Sequence, residues 1–377
     1  MLLGSEGSNI HRTVELMQHK PDIVPIVLKP GWLYFLRDRD YLTGEVGPYV
    51  KIGKTDYDRP VEERIDDHQT GNPRKVFSIH NMQVNSIDTI ETYLHHIFAP
   101  VRVHGEWFKM DGNQVKEAIQ EADELNIMIG KYMTEIEVAT TIYNQVSNGV
   151  IRKATDKELS LASNWLEAKK SHIMAKNRVV LNNERLRRLM GNSKGIEGVI
   201  DLQQKVSVST LDKSTIISKH HEILQDYMTN KTSKSISSSF KPAHTNPQLR
   251  GLDKQLDLEI KKEKSLQTAS SDIASFDENP TTRTAEIEKI HDEYLMTLGE
   301  ERSMRIGLDL MVARAKAACG LNDGVEGLCF WKREQVVKEK QLINWKQFAE
   351  DYPEIAASNM TEEKHTIAFV ARKYRAY

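Results

Sequence analysis

"GPYVKIGKT", residues 47–55, decides how the amino-terminal part of this chain is read. Gly53, Lys54 and Thr55 have the ending of a phosphate-binding P-loop, which needs four residues between its first glycine and the Gly-Lys-Thr so that consecutive N–H groups can wrap the phosphates. Here five residues separate Gly47 from Gly53, and one of them, Pro48, has no N–H to give. Tyr49, Val50, Lys51 and Ile52 alternate as a β-strand does. The stretch reads as a strand, with Lys54 and Thr55 leaving it toward a helix, and it forms a hairpin with the run at 32–36.

Working outward, further short β runs stand at 76–79 and 107–110, interleaved with two helices. The first helix begins at Arg59 and Pro60 behind Asp58 as its cap; Val61 and Ile65 make its apolar stripe, with Arg64 and His68 one turn apart beside it. The second starts after Asn85 or Ser86 and buries Ile87, Ile90, Leu94 and Ile97, with Glu91 and His95 on the border of that stripe. Where the hairpin meets the helices, Tyr34, Lys51, Arg64 and Glu91 converge. Phosphodiester cleavage requires such a set: a base, a cation for the phosphate, and a carboxylate for a divalent metal. Tyr34 beside the Lys51 ammonium suits the base, because a nearby cation favours phenolate. Arg64 matches phosphate oxygens, and Glu91 is the candidate metal ligand. Gly53 serves close packing, and the histidines read more simply as structural groups.

Taken in order, Tyr34, "KIG" at 51–53, Arg64, "TGNP" at 70–73, Glu91 with His95, and "GEWF" at 105–108 resemble the GIY-YIG endonuclease superfamily, in its phage and bacterial branch with a Lys-Ile-Gly second motif. The resemblance covers residues of about 30–110. It implies an α+β domain with a three-stranded antiparallel sheet and flanking helices, and DNA cleavage assisted by Mg2+ (or Mn2+). It further implies Tyr34 as general base, Lys51 as its activator, Arg64 on the phosphate, Glu91 on the metal, and His68 as the histidine some relatives place four residues after the arginine. The first motif keeps only its tyrosine, and residues 30–110 hold ten Lys and Arg against twelve Asp and Glu, so the unit has no basic excess for DNA. A degenerate nuclease scaffold that binds DNA or regulates is the alternative.

DNA is therefore expected to be held elsewhere. Residues 151–200 carry eleven Lys and Arg against five Asp and Glu, which points to Lys169, Lys170, Lys176, Arg178, Arg185, Arg187 and Arg188 on a basic helix. Trp331, Lys332 and Arg333 could stack on a base or close a core. Within the second half, 165–199 lines up with 294–328 at an offset of 129, each copy a long helix stopping at a Gly-rich turn. The organisation expected is an extension at 1–29, the nuclease-like unit at 30–112, a helical region with the first copy at 113–228, a flexible Ser/Thr-rich linker at 229–285, and the second copy at 286–377. Cys319 and Cys329 form no metal-binding motif and read as small buried hydrophobes. The net charge of −2 gives no overall nucleic-acid footprint, and the lack of a membrane-length apolar run makes a prokaryotic or phage-infected cytoplasm the expected location.

Overall fold

The computed structural model describes residues 26–377 apart from 244–248, 250, 253, 268–275 and 278. Most of the expected amino-terminal extension, and parts of the expected linker, lie outside the described residues.

The head begins with β1 (Gly31–Arg39) and β2 (Tyr49–Asp56), the hairpin expected from residues 47–55, paired with Tyr34 opposite Gly53 and Leu36 opposite Lys51. There follow α1 (Val61–Gln69), β3 (Lys75–Val84), α2 (Ile87–Ile97), β4 (Arg102–His104) and β5 (Trp107–Lys109). The strand order is β3-β1-β2-β5-β4, antiparallel throughout. The α+β class holds, but the sheet has five strands where three are expected. The run expected at 107–110 joins the sheet as β5, and the strand not foreseen is β4, three residues long and too short to show a period.

One face of this sheet packs against α2, α3 (Gly112–Lys131) and α4 (Met133–Tyr143), burying Leu33, Phe35, Val50 and Ile52 with Ile90, Leu94, Ala118 and Ile136. The boundary expected at 112 therefore cuts through a shared core. Helix α3 opens on a capping box, Asp111 answered by Gln114, and then turns Val115, Ala118, Ala122 and Leu125 inward at helical spacing. The opposite face is covered by α1, whose Val61 and Ile65 pack on Tyr34, Leu36 and Val76.

Beyond the head run β6 (Ile151–Lys153), α5 (Asp156–Met190), β7 (Gly195–Ile196), β8 (Ile200–Ser207), α6 (Lys213–Lys219), α7 (His221–Leu224) and β9 (Met228–Pro242). Then come α8 (Lys254–Ser265), α9 (Ala285–Cys319), β10 (Gly324–Glu326), β11 (Cys329–Ile343), α10 (Trp345–Asp351), α11 (Pro353–Ser358) and β12 (Lys364–Ala371). The repeat is visible in α5 and α9, each 35 residues long. Each is capped by a threonine, Thr155 or Thr284, and ended by a left-handed glycine, Gly191 or Gly320, with φ of 61° and 59°. The helices lie antiparallel: Arg178 meets Glu300 and Arg185 meets Glu293. At their midpoint His172 contacts Glu301 at 2.9 Å, a pair 129 positions apart in sequence, as a two-fold relation between the copies requires.

The two copies are not separate modules on either side of a linker. Strands pair between the copies, β6 with β10, β9 with β11 and β8 with β12, while β7 pairs with β8 of its own copy and Ile196 bridges to Thr281. Either copy alone would leave its strand edges unpaired. The expected linker is corrected accordingly. Its start is β9, a 15-residue strand running against β11, and 254–265 is helical. Both cysteines are fully buried in the core under β11, as expected. Among the described residues no helix is long and apolar enough to cross a membrane.

Candidate nuclease site in the head

Cross-strand pairing sets Tyr34 directly against Gly53, so the phenol ring lies over a residue without a side chain. A Cβ at Gly53 would stand 2.6 Å from the Tyr34 hydroxyl oxygen and from its ring. Lys51, two residues before Gly53, alternates onto the same face. Helix α1 delivers Arg64 and His68 to that face from adjacent turns. The Tyr34 hydroxyl is 3.2 Å from His68 Nε2, and Arg64 is its other hydrogen-bond partner. Tyr34 is fully covered, at 0% exposure. Burial pushes its phenol above the ordinary tyrosine range, and the Arg64 guanidinium offsets part of that shift. Burial and the charges of Lys51 and Arg64 hold His68 below 6.5, leaving a neutral imidazole at pH 7 that shares a hydrogen bond with the phenol.

Lys51 is on the expected face, but its ammonium is paired with Glu106 and makes no hydrogen bond to the Tyr34 hydroxyl. It lies 5.9 Å from the Trp107 ring, and Arg64, with a reach from α1, is the cation on Tyr34. Although burial works against it, the Lys51 contact holds the Glu106 carboxyl below its usual range. Glu91, on α2, is 7% exposed; burial raises its carboxyl, and Lys54 opposes the rise with Nζ 2.7 Å from Oε2. Lys54 also binds Asp88 one turn earlier. The charges of Glu91 and Glu106 both reach Tyr34. His95 is structural, donating from Nε2 to the Ile52 carbonyl at 3.0 Å.

Two site residues were missed from sequence. Glu106 entered the sequence reading only within the "GEWF" motif, and Lys54 only as a residue leaving its strand. The available signals were that Glu106 sits beside a strand-pairing Trp107, and that β2 continues through Asp56. Among the described residues, no three His, Cys, Asp or Glu side chains are grouped to hold a metal.

The basic helix α5 is placed differently from expectation. Arg178 pairs with Glu300, Arg185 with Glu259 and Glu293, Arg187 with Glu184, and Arg188 with Glu263, while Lys170 pairs with Glu167. Lys169 is half-buried beside Arg305, and Lys176 is exposed. Acids of α8 and α9, far away in sequence, answer Arg178, Arg185 and Arg188, and acids of α5 itself answer Lys170 and Arg187. Trp331 and Arg333 close a core, with the guanidinium 4.0 Å from the indole ring.

A covered tyrosine hydrogen-bonded to an arginine and a neutral histidine on an antiparallel sheet makes this face of the head a candidate site. The family described as the T5orf172 domain matches residues 31–123; it occurs in nuclease-like proteins of phages and bacteria. That match reaches into α3, in keeping with the shared core. No curated protein and no solved structure matches the chain.

Proposed function

We propose that the head is a GIY-YIG-type endonuclease that hydrolyses DNA phosphodiester bonds. The observation that carries this reading is the Tyr34 hydroxyl held between Arg64 and a neutral His68 over Gly53. Tyr34 passes its proton to His68 Nε2, and Arg64 stabilises the phenolate. The phenolate then takes the proton of the attacking water as its oxygen bonds to phosphorus and the P–O bond to one sugar oxygen breaks, that oxygen leaving and taking its proton from solvent. Because Tyr34 is fully covered, water and phosphate enter beside Arg64, whose side chain exchanges Asp67 for a phosphate oxygen. Lys51 pairs with Glu106, and its charge helps keep His68 neutral, so that the imidazole has a lone pair for the phenol's proton.

Glu91 fits a magnesium or manganese ion: its carboxylate is buried, and the cation it pairs with among the described residues is the partly exposed Lys54 ammonium, which is exchangeable. One carboxylate together with water and phosphate oxygens is an ordinary magnesium environment. When bound, the ion supplies positive charge for the leaving oxygen. A second reading, a non-cleaving scaffold, is favoured by the complete burial of Tyr34 and its raised proton affinity.

Plasmid nicking decides between them. Nicking that requires magnesium or manganese and disappears in Tyr34→Phe and Glu91→Ala, with DNA binding retained, supports the nuclease. Wild-type protein that binds DNA but never nicks with either metal supports the scaffold. The nicking rate is expected to rise with pH through the lowered His68 value and level off above 6.5.

A further inference from the structure

The β9–β11 ribbon leaves the α5–α9 pair as two 15-residue strands. Its root is packed: Trp331, Arg333 and Cys329 are buried. From Glu334 outward every β11 residue is exposed or half-exposed, and the same holds for every residue of β9. The ribbon stands clear of the core on both faces over most of a length of about 48 Å.

Its two faces differ. Residues directly opposite in register share a face. One face carries the pairs Phe330 with Lys241, Lys332 with Ser239, Glu334 with Ser237, Val336 with Ser235, Lys338 with Ser233, Lys340 with Lys231, and Leu342 with Thr229. That is a strip of five lysines, four serines and a threonine with one acid. Glu334 answers Lys332 at 2.6 Å, while Lys231, Lys241, Lys338 and Lys340 have no ion pair among the described residues. On α5, by contrast, five of the seven cations singled out are paired within the fold.

We propose that this lysine and serine face is the surface that holds duplex DNA for the head. The choice of DNA as partner rests on the nuclease reading above. The form of the nucleic acid follows from the surface itself. A two-stranded ribbon fits the wide major groove of B-form DNA, whereas the major groove of A-form RNA is too deep and narrow. Lysine ammonium and serine hydroxyl groups contact phosphates and carry little base information, so binding is weakly dependent on sequence. The face has a single aromatic residue, Phe330, at the root, and therefore no stacking platform for a single strand.

The test uses the full chain and a labelled 30-base-pair duplex of mixed sequence, followed by anisotropy between 50 and 200 mM salt. The variant joins Lys231→Gln, Lys241→Gln, Lys338→Gln and Lys340→Gln, all exposed positions; a second carries glutamate at the same four. The glutamine variant should bind at least tenfold more weakly at 100 mM salt, and the slope of log affinity against log salt should flatten by about 3. The glutamate variant should lose more, and Lys176→Glu on α5 should change affinity less than threefold. Unchanged affinity and slope in both ribbon variants would overturn the proposal, as would tighter binding to single-stranded DNA or duplex RNA than to duplex DNA. Nicking separates the two claims. Ribbon-dependent binding without any nicking keeps the ribbon and removes the nuclease, whereas nicking with ribbon-independent binding does the opposite.

Discussion

Replacing Gly53 by alanine tests the geometry of the site through a single methyl group. On the present backbone the new Cβ would lie 2.6 Å from Tyr34 Oη and Cε2 and 2.7 Å from Cζ. To reach ordinary van der Waals contact at 3.4 Å, the ring has to retreat by about 0.8 Å. It cannot move out into solvent, because Tyr34 is fully covered and packed beneath Val61 and Ile65. The strain is that of an overfilled core, about 1–3 kcal/mol. The same displacement takes the hydroxyl away from His68 Nε2, now 3.2 Å distant, and from Arg64. A misplacement of about 1 Å costs about 100-fold in rate. Urea unfolding and plasmid nicking would measure both effects. Adding Tyr34→Leu to Gly53→Ala should recover part of the stability and none of the nicking, since it removes the ring that the methyl strikes. A Gly53→Ala protein with wild-type stability and a rate within threefold of wild type would refute this account of the site.

Stability should also fall in acid. Burial holds His95 and His96 down to about 4, so between pH 6.5 and 4 the unfolded chain takes up protons that the folded chain refuses. For the buried His95 this amounts to about 3 kcal/mol, lost progressively as the pH falls through that window. Urea midpoints at pH 7 and 4.5 should show the drop, and His95→Gln should shrink it; a flat profile would contradict the burial argument. In the second half, Arg333 is fully buried and donates to the carbonyls of Gln145, Trp331 and Gly320. Arg333→Ala leaves those carbonyls unpaired and should destabilise by at least about 3 kcal/mol, measured by thermal or urea unfolding, whereas Lys332→Ala, exposed one residue earlier, should cost little.

The sequence was most informative where a side chain's task is local. Alternation in 49–52 defined β2, the Val61–Ile65 stripe and Pro60 defined α1, and an offset of 129 disclosed the repeat with its two glycine stops. Tyr34, Gly53, Arg64, His68 and Glu91 could be gathered because each sits at a fixed step along an element whose pairing follows from a hairpin and two helices. Spacing could not say which cation meets which acid. Lys51 turned to Glu106 and Lys54 to Glu91 because those acids arrive from β5's approach and from α2, 55 and 37 positions later in the chain. Charge counting failed on α5 for the same reason, since its partners Glu259, Glu263, Glu293 and Glu300 come from other helices. Strand β9 was misread as linker because a strand that buries neither face leaves no period of two in its hydrophobicity, and serine, threonine and lysine then look like disorder. Only the exchange of strands between the two copies, a pairing of residues nearly a hundred positions apart, made those residues a strand and ranged their lysines along one exposed face.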